Sequence, residues 1–150
     1  MNTAVILAAG LGSRLSKALI KRPKGFIEFD GQALVIKSIN NLNSTGIKRI
    51  IIGTGYLSEY YEALEDNQTI FCVKNPLYAT TGSFFTLCNL ENHIHEDFIL
   101  LESDLLYEKR ALSVLMDHNK NNVILASENT GSGDEVFIEV DNDYSLSKLS

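Results

Sequence analysis

The chain has 150 residues, 45% of them hydrophobic, which is enough apolar material for one domain with a packed core and rules out a disordered composition. A net charge of −6 argues against the basic stripe by which a nucleic-acid polymer is held. No apolar run reaches membrane-spanning length and no signal-type segment opens the chain, so a cytoplasmic protein with no membrane or nucleic-acid partner is expected.

Val5-Ile6-Leu7-Ala8-Ala9 is apolar and uncharged and predicts a strand buried on both faces. It stops at Gly10, and Gly12 follows two residues later, so the backbone is free to turn and approach a ligand. A basic, turn-rich segment leads to a short alternating strand at 25–29 and a turn at Asp30-Gly31. Residues 33–42 carry Val35, Ile39 and Leu42 at helical spacing, with Gly46 as C-cap. The isoleucine-rich stretch 49–54 predicts a second buried strand, and 57–64 a helix with Ser58 as N-cap. A third strand is expected at 69–73, a turn at Asn75-Pro76, and a buried helix over 82–90. Residues 98–101 predict a fourth strand running into Glu102-Ser103-Asp104, followed by an amphipathic helix at 109–118. A fifth strand is expected at 123–126, a flexible connection at 130–134, and strands at 136–140 and 146–149 around an Asn142-Asp143 turn. Cys72 and Cys88 lack metal-ligand spacing and are expected to be buried free thiols, and His93 and His95 lack a third ligand.

Strands alternating with helices imply a mostly parallel sheet covered on both faces. Ligands of such sheets sit beyond the carboxyl ends of the strands, where the glycine loop and Glu102-Ser103-Asp104 should meet. The loop offers backbone N–H groups to anions, Arg14 a planar donor fork, and Lys24 a compact positive charge, which together make a triphosphate site. The loop is neither a Walker loop nor a full dinucleotide fingerprint, because Gly-Lys-Ser/Thr and the third glycine are missing. Asp104 has two readings: a ligand for Mg²⁺, or the cap of a helix starting near Tyr107.

The string Leu7-Ala8-Ala9-Gly10-Leu11-Gly12-Ser13-Arg14-Leu15, then Pro23-Lys24, then Phe29-Asp30-Gly31-Gln32-Ala33-Leu34, resembles the opening of the nucleotidyltransferases that make sugar nucleotides and CDP-activated head groups. The resemblance implies a three-layer, Rossmann-like (GT-A-like) α/β fold, with residues 1–150 forming a catalytic domain truncated at its C-terminal part. It implies a Mg²⁺-dependent transfer with Asp104 on the metal, matching the family's acidic-small-Asp element. The family's second metal aspartate has no confident match, and Asp141 and Asp143 lie in a turn. Residues 7–14 are expected to bind the nucleotide, with Arg14 and the backbone of Leu11, Gly12 and Ser13 on the β,γ-phosphates and Lys24 on the α-phosphate and incoming anion.

The stretch Asn75-Pro76-Leu77-Tyr78-Ala79-Thr80-Thr81-Gly82-Ser83-Phe84-Phe85 is similar to the segment after the third strand in cytidylyltransferases that activate phosphocholine and 2-aminoethylphosphonate. Ser83 is the candidate for the cytosine edge; residues 80–83 capping the next helix is the alternative. A quaternary ammonium acceptor needs an aromatic cage, to which Tyr78, Phe84, Phe85 and Tyr107 are the candidates in a chain without Trp. A primary ammonium needs carboxylates, offered by Asp134 and Glu135 unless these only edge a solvated loop. Residues 126–137 are similar to the aminoethylphosphonate branch. CTP and a small phosphonate or phosphate ester are therefore the expected partners, with a homodimer or a fused domain as possible assembly. Phosphocholine or sugar-1-phosphate transfer and a non-catalytic nucleotide-binding regulatory domain are the alternatives.

Overall fold

The computed structural model describes residues 1–12, 22–128, 131, 133 and 135–149, in two compact units, Met1–His118 and Asn119–Ser150. Among the described residues no helix is long and apolar enough to cross a membrane.

The first unit is built on a four-stranded parallel sheet. Its strands are β1 (Thr3–Ala8), β4 (Arg49–Thr54), β5 (Ile70–Lys74) and β6 (Phe98–Glu102), in the order β5-β4-β1-β6. Every residue of β1 is buried, as its uncharged sequence requires. Alternation splits the core into two layers. Ala4, Ile6, Ile50, Ile52, Ile99 and Leu101 face the helices α1 (Leu34–Ser44), α2 (Glu59–Glu62) and α4 (Arg110–Met116), represented in that layer by Val35, Ile39, Leu42, Tyr61 and Leu112. Val5, Leu7 and Ile51 face the other way, toward Leu87 of α3 (Ser83–Cys88) and Leu90 just beyond it. The three layers expected from the sequence are present.

Local chemistry explains the junctions. Asp30 (φ 52°) and Gly31 (φ 73°) close a tight antiparallel pair between β2 (Glu28–Phe29) and β3 (Gln32–Ala33), the turn that Asp-Gly favours. α1 ends with Gly46 at φ 92°. The Ile47 N–H donates to the Leu42 carbonyl at 3.2 Å and the Gly46 N–H to that of Asn43 at 3.2 Å, which satisfies the last turn. Ser58 stands at the N-cap of α2 but its side chain makes no capping bond; it is buried, and its carbonyl accepts from the Tyr61 and Glu62 N–H groups, both at 2.9 Å.

Several expectations are corrected. The helix expected to be buried over 82–90 is short and turns its aromatics outward: Phe84 is 78% exposed, while Thr86 and Leu90 are buried. The cause is Gly53. A Cβ there would lie 2.7 Å from the Thr86 Cγ2, so the small residue admits the helix edge-on and leaves room for one narrow stripe. Cys88 on the same helix is exposed rather than buried, and Cys72 on β5 is half-buried. The segment 25–29 is a strand only at Glu28–Phe29. Its start is a 3₁₀ turn, Lys24–Phe26, because Gly25 packs tightly against Ser103 and Tyr61.

In the second unit, 123–126 is not a strand; Ile124 and Leu125 are exposed, and the described residues of that unit offer the run no strand partner. The strand expected at 136–140 is shorter, β7 (Ile138–Val140), and pairs antiparallel with β8 (Leu146–Leu149). Asp141 organises the turn between them, its carboxylate accepting from the Asp143 and Ser145 N–H groups, both at 2.9 Å.

Gly55 is the most closely packed of the described glycines. An added Cβ would lie 2.5 Å from the Tyr78 Cβ and 2.7 Å from the Ala9 carbonyl oxygen. Gly55→Ala is therefore expected to destabilise the fold by roughly 1–3 kcal/mol, because backbone has to move; thermal unfolding checks this, and an unchanged midpoint would refute it. The thiols should also separate. Burial, with Glu65 and Glu62 nearby, pushes Cys72 up to about 12, whereas Cys88 is exposed. A thiol reagent at pH 8 should label Cys88 first and leave Cys72 until the chain unfolds, as read by intact mass.

Candidate active site

At the carboxyl ends of β1 and β6 a cavity of about 510 Å³ opens. Three strand-end loops build it. β1 runs out through Ala9, Gly10 and Gly12, and Gly12 has φ 65°, a left-handed conformation that favours glycine. The Ser103 N–H donates to the Leu7 carbonyl at 2.9 Å, which fixes Glu102-Ser103-Asp104 beside that exit. The third wall is Thr81-Gly82-Ser83 with Thr86, at the start of α3.

Lys24 is carried into the cavity by its 3₁₀ turn, and the fit of Gly25 holds that turn down. A Cβ on Gly25 would lie 2.7 Å from the Tyr61 hydroxyl and 3.0 Å from the Ser103 carbonyl oxygen. The Lys24 Nζ is 3.5 Å from the Asp104 Oδ2, with both side chains about a third exposed. A positive and a negative group thus share the cavity at contact distance. Glu102 stands beside them. Partial burial pushes its carboxyl up; a hydrogen bond from the Ser83 side chain opposes that, Asp104 adds to it, and Lys24 opposes it. Burial likewise pushes the Tyr61 phenol up, against a hydrogen bond to Ser103.

The expected site residues are brought together in large part. Leu7, Ala8, Ala9, Gly10, Gly12, Lys24, Ser83 and Asp104 line this one cavity. Leu11 lies next to it, in a small cleft with Arg22, Pro23 and Tyr56. Asp104 does not cap a helix: α4 starts at Arg110, with Lys109 at its N-cap. Ser13, Arg14 and Asp134 lie outside the described residues. Tyr107 lines none of the cavity; its half-buried ring packs on the α1 side of the core, and its hydroxyl faces Ser38 and Asn41 of that helix. Tyr78, Phe84 and Phe85 do not line the cavity either. Glu135 belongs to the second unit, where its carboxylate accepts from the Gly133 N–H at 2.8 Å.

Tyr61 and Thr86 line the cavity without a role in the sequence reading, and Glu102 enters it only as the acidic member of Glu102-Ser103-Asp104, with no ligand of its own assigned. A carboxylate two residues before Asp104, on the same strand exit, was the available signal for Glu102.

A divalent metal of the Mg²⁺ type needs one or two carboxylates and completes its shell with water and phosphate oxygens. Among the described residues no cluster of three or more His, Cys, Asp or Glu forms a metal cage. Glu102 and Asp104, two hard oxygen donors in one cavity open to solvent, fit the sparser requirement.

A glycine exit from an inner strand, a lysine paired with an aspartate and a short-helix wall thus stand together at the strand ends of the α/β sheet. Residues 4–146 match the MobA-like NTP transferase domain. The chain belongs to that family. A CMP-5′-(3-aminopropyl)phosphonate synthase from Streptomyces rubellomurinus is 29% identical over 128 residues, 83% of this chain and 20% of the relative. A 2-aminoethylphosphonate cytidylyltransferase from Lancefieldella rimae is 36% identical over 76 residues, 50% of this chain and 31% of the relative. The solved CTP:phosphocholine cytidylyltransferase from Streptococcus pneumoniae superposes with a TM-score of 0.75 at 24% identity, covering 100% of this chain and 64% of that one, and shares the fold. The chain spans between a fifth and about half the length of the first curated relatives it matches.

Gly25→Ala should weaken binding of a nucleoside triphosphate by about tenfold or more, near 1.4 kcal/mol, because it displaces the turn that carries Lys24. Calorimetric titration measures this; unaltered affinity would show that the packing at Gly25 does not place Lys24.

Proposed function

We propose that this chain carries the nucleotide site of a cytidylyltransferase that transfers CMP from CTP to 2-aminoethylphosphonate and releases pyrophosphate. The observation that carries the reading is one cavity in which the glycine exit, Lys24, Asp104 and the Thr81-Gly82-Ser83 wall converge. A phosphonate oxygen forms a bond to the α-phosphorus, the bond from that phosphorus to the β-phosphate oxygen breaks, and pyrophosphate leaves with the electron pair. The acceptor is already ionised near neutral pH, so no general base is required. What the protein has to supply is alignment and positive charge.

The backbone of the glycine exit, with Arg14, takes the β,γ-phosphates. Lys24 takes the α-phosphate and the incoming anion, and leaves its contact with Asp104 to do so. Asp104, with Glu102 beside it, would hold Mg²⁺, whose charge would neutralise the phosphate oxygens as the leaving group departs. Ser83 faces the base. The phosphonate acceptor is supported by the relatives named for aminoalkylphosphonates.

Pyrophosphate release tests the reading, with CTP, Mg²⁺ and either 2-aminoethylphosphonate or phosphocholine. Release with the phosphonate is expected, falling about 10²–10³-fold in Lys24→Ala, the usual scale for removing one transition-state donor. Release with phosphocholine instead would replace the acceptor and keep the mechanism. CTP binding without release from either acceptor would favour a regulatory nucleotide-binding domain.

A further inference from the structure

Asn75 lies outside the cavity and is fully buried, yet every part of its side chain is engaged. Its Nδ2 donates to the Thr81 Oγ1 and the Thr86 Oγ1, both at 3.0 Å, and its Oδ1 accepts from the Leu77 N–H at 2.9 Å. Its own backbone N–H donates to the Thr54 carbonyl at 2.8 Å, which anchors it to the end of β4. The two threonines are bound twice over. The Thr81 hydroxyl donates to the Leu77 carbonyl at 2.8 Å and the Thr86 hydroxyl toward the Gly82 carbonyl at 3.4 Å. One buried amide therefore clamps both ends of the wall that runs from Thr81 to Thr86.

The clamp has a chemical consequence. With the Thr81 and Thr86 hydroxyls committed to the clamp and the Ser83 hydroxyl bonded to Glu102, the wall faces a ligand chiefly with the backbone groups of Thr81 to Ser83. Main-chain groups read a ligand edge by position, because their direction is set by the loop and by nothing else. We infer that Asn75 is a positioning residue for base selection: by fixing the Thr81–Ser83 backbone it sets which nucleobase edge the cavity accepts, while the phosphate contacts are placed independently by the Lys24 turn and the β1 exit. This rests on the cytidylyltransferase reading for the wall's place against the base and for which base is preferred.

The test compares CTP, UTP and inorganic tripolyphosphate, each titrated with Mg²⁺ into the wild-type chain and into Asn75→Ala. Tripolyphosphate has no base and reports the phosphate contacts alone. The variant should bind CTP about tenfold or more weaker, the scale of losing buried hydrogen bonds, with a reduced CTP-over-UTP preference and tripolyphosphate affinity within about twofold of wild type. If Asn75→Ala does not stay folded, Thr86→Val keeps the methyl group against Gly53, removes one arm of the clamp, and should show the same pattern at smaller size, reversed in Thr86→Ser. Equal loss for CTP and tripolyphosphate, or unchanged CTP binding in a folded variant, would overturn the role. A wild-type preference for another base, abolished by Asn75→Ala, would refute the cytidine reading and leave the role of Asn75 standing.

Discussion

The first unit depends on how closely backbone can approach the carboxyl end of β1. The carbonyls of Leu7 and Ala9 reach past the sheet and accept from the Ser103 and Tyr56 N–H groups, so the exits of β6 and β4 are tied to one strand. A Cβ at Gly55 would strike the same Ala9 carbonyl, so the tie exists only because the residue has no side chain. Close-packed interiors do not yield by fractions of an ångström without cost. The cavity lies beside this tie, between the β1 and β6 exits and the Thr81–Ser83 wall.

Charge is arranged in that space with little to spare. Lys24 and Asp104 neutralise each other across 3.5 Å, and Glu102 adds a carboxyl whose ionisation is discouraged by burial and by Asp104. In such a group of two acids and one base, a polyanion and a divalent cation arriving together can each take one partner of the existing pair. Neither charge would be left uncompensated in a partly desolvated site.

Much of this was legible in the sequence, and the failures have a common cause. The strands with continuous apolar runs, β1 and β4, were readable because burial on both faces leaves no room for polar residues. The meeting of the glycine exit with Glu102-Ser103-Asp104 followed from parallel topology alone. Exposure within short helices was not readable. Phe84 and Phe85 look like core until Gly53 draws Thr86 inward and sets the helix on its edge. Tyr107 looks available to a ligand until its packing on the α1 side shows otherwise. The amide of Asn75 reads as turn chemistry, because its two threonine partners are chosen by the path of the loop and not by spacing.

The two layers of the core are unequal, and that bears on how the protein opens. Among the described residues fourteen buried side chains form the layer on the α1 side, and four form the layer on the α3 side. Cooperative sub-units with few buried apolar contacts unfold at lower free energy than the whole. The α3 layer therefore forms the weaker foldon, and its amides should exchange with solvent by partial opening while those of β1 wait for global unfolding. The wall of the cavity belongs to that weaker foldon. A ligand that seats against it restrains the less buried of the two layers, so some of its intrinsic affinity is spent on ordering, and the ligand's presence should be felt in the protection of α3.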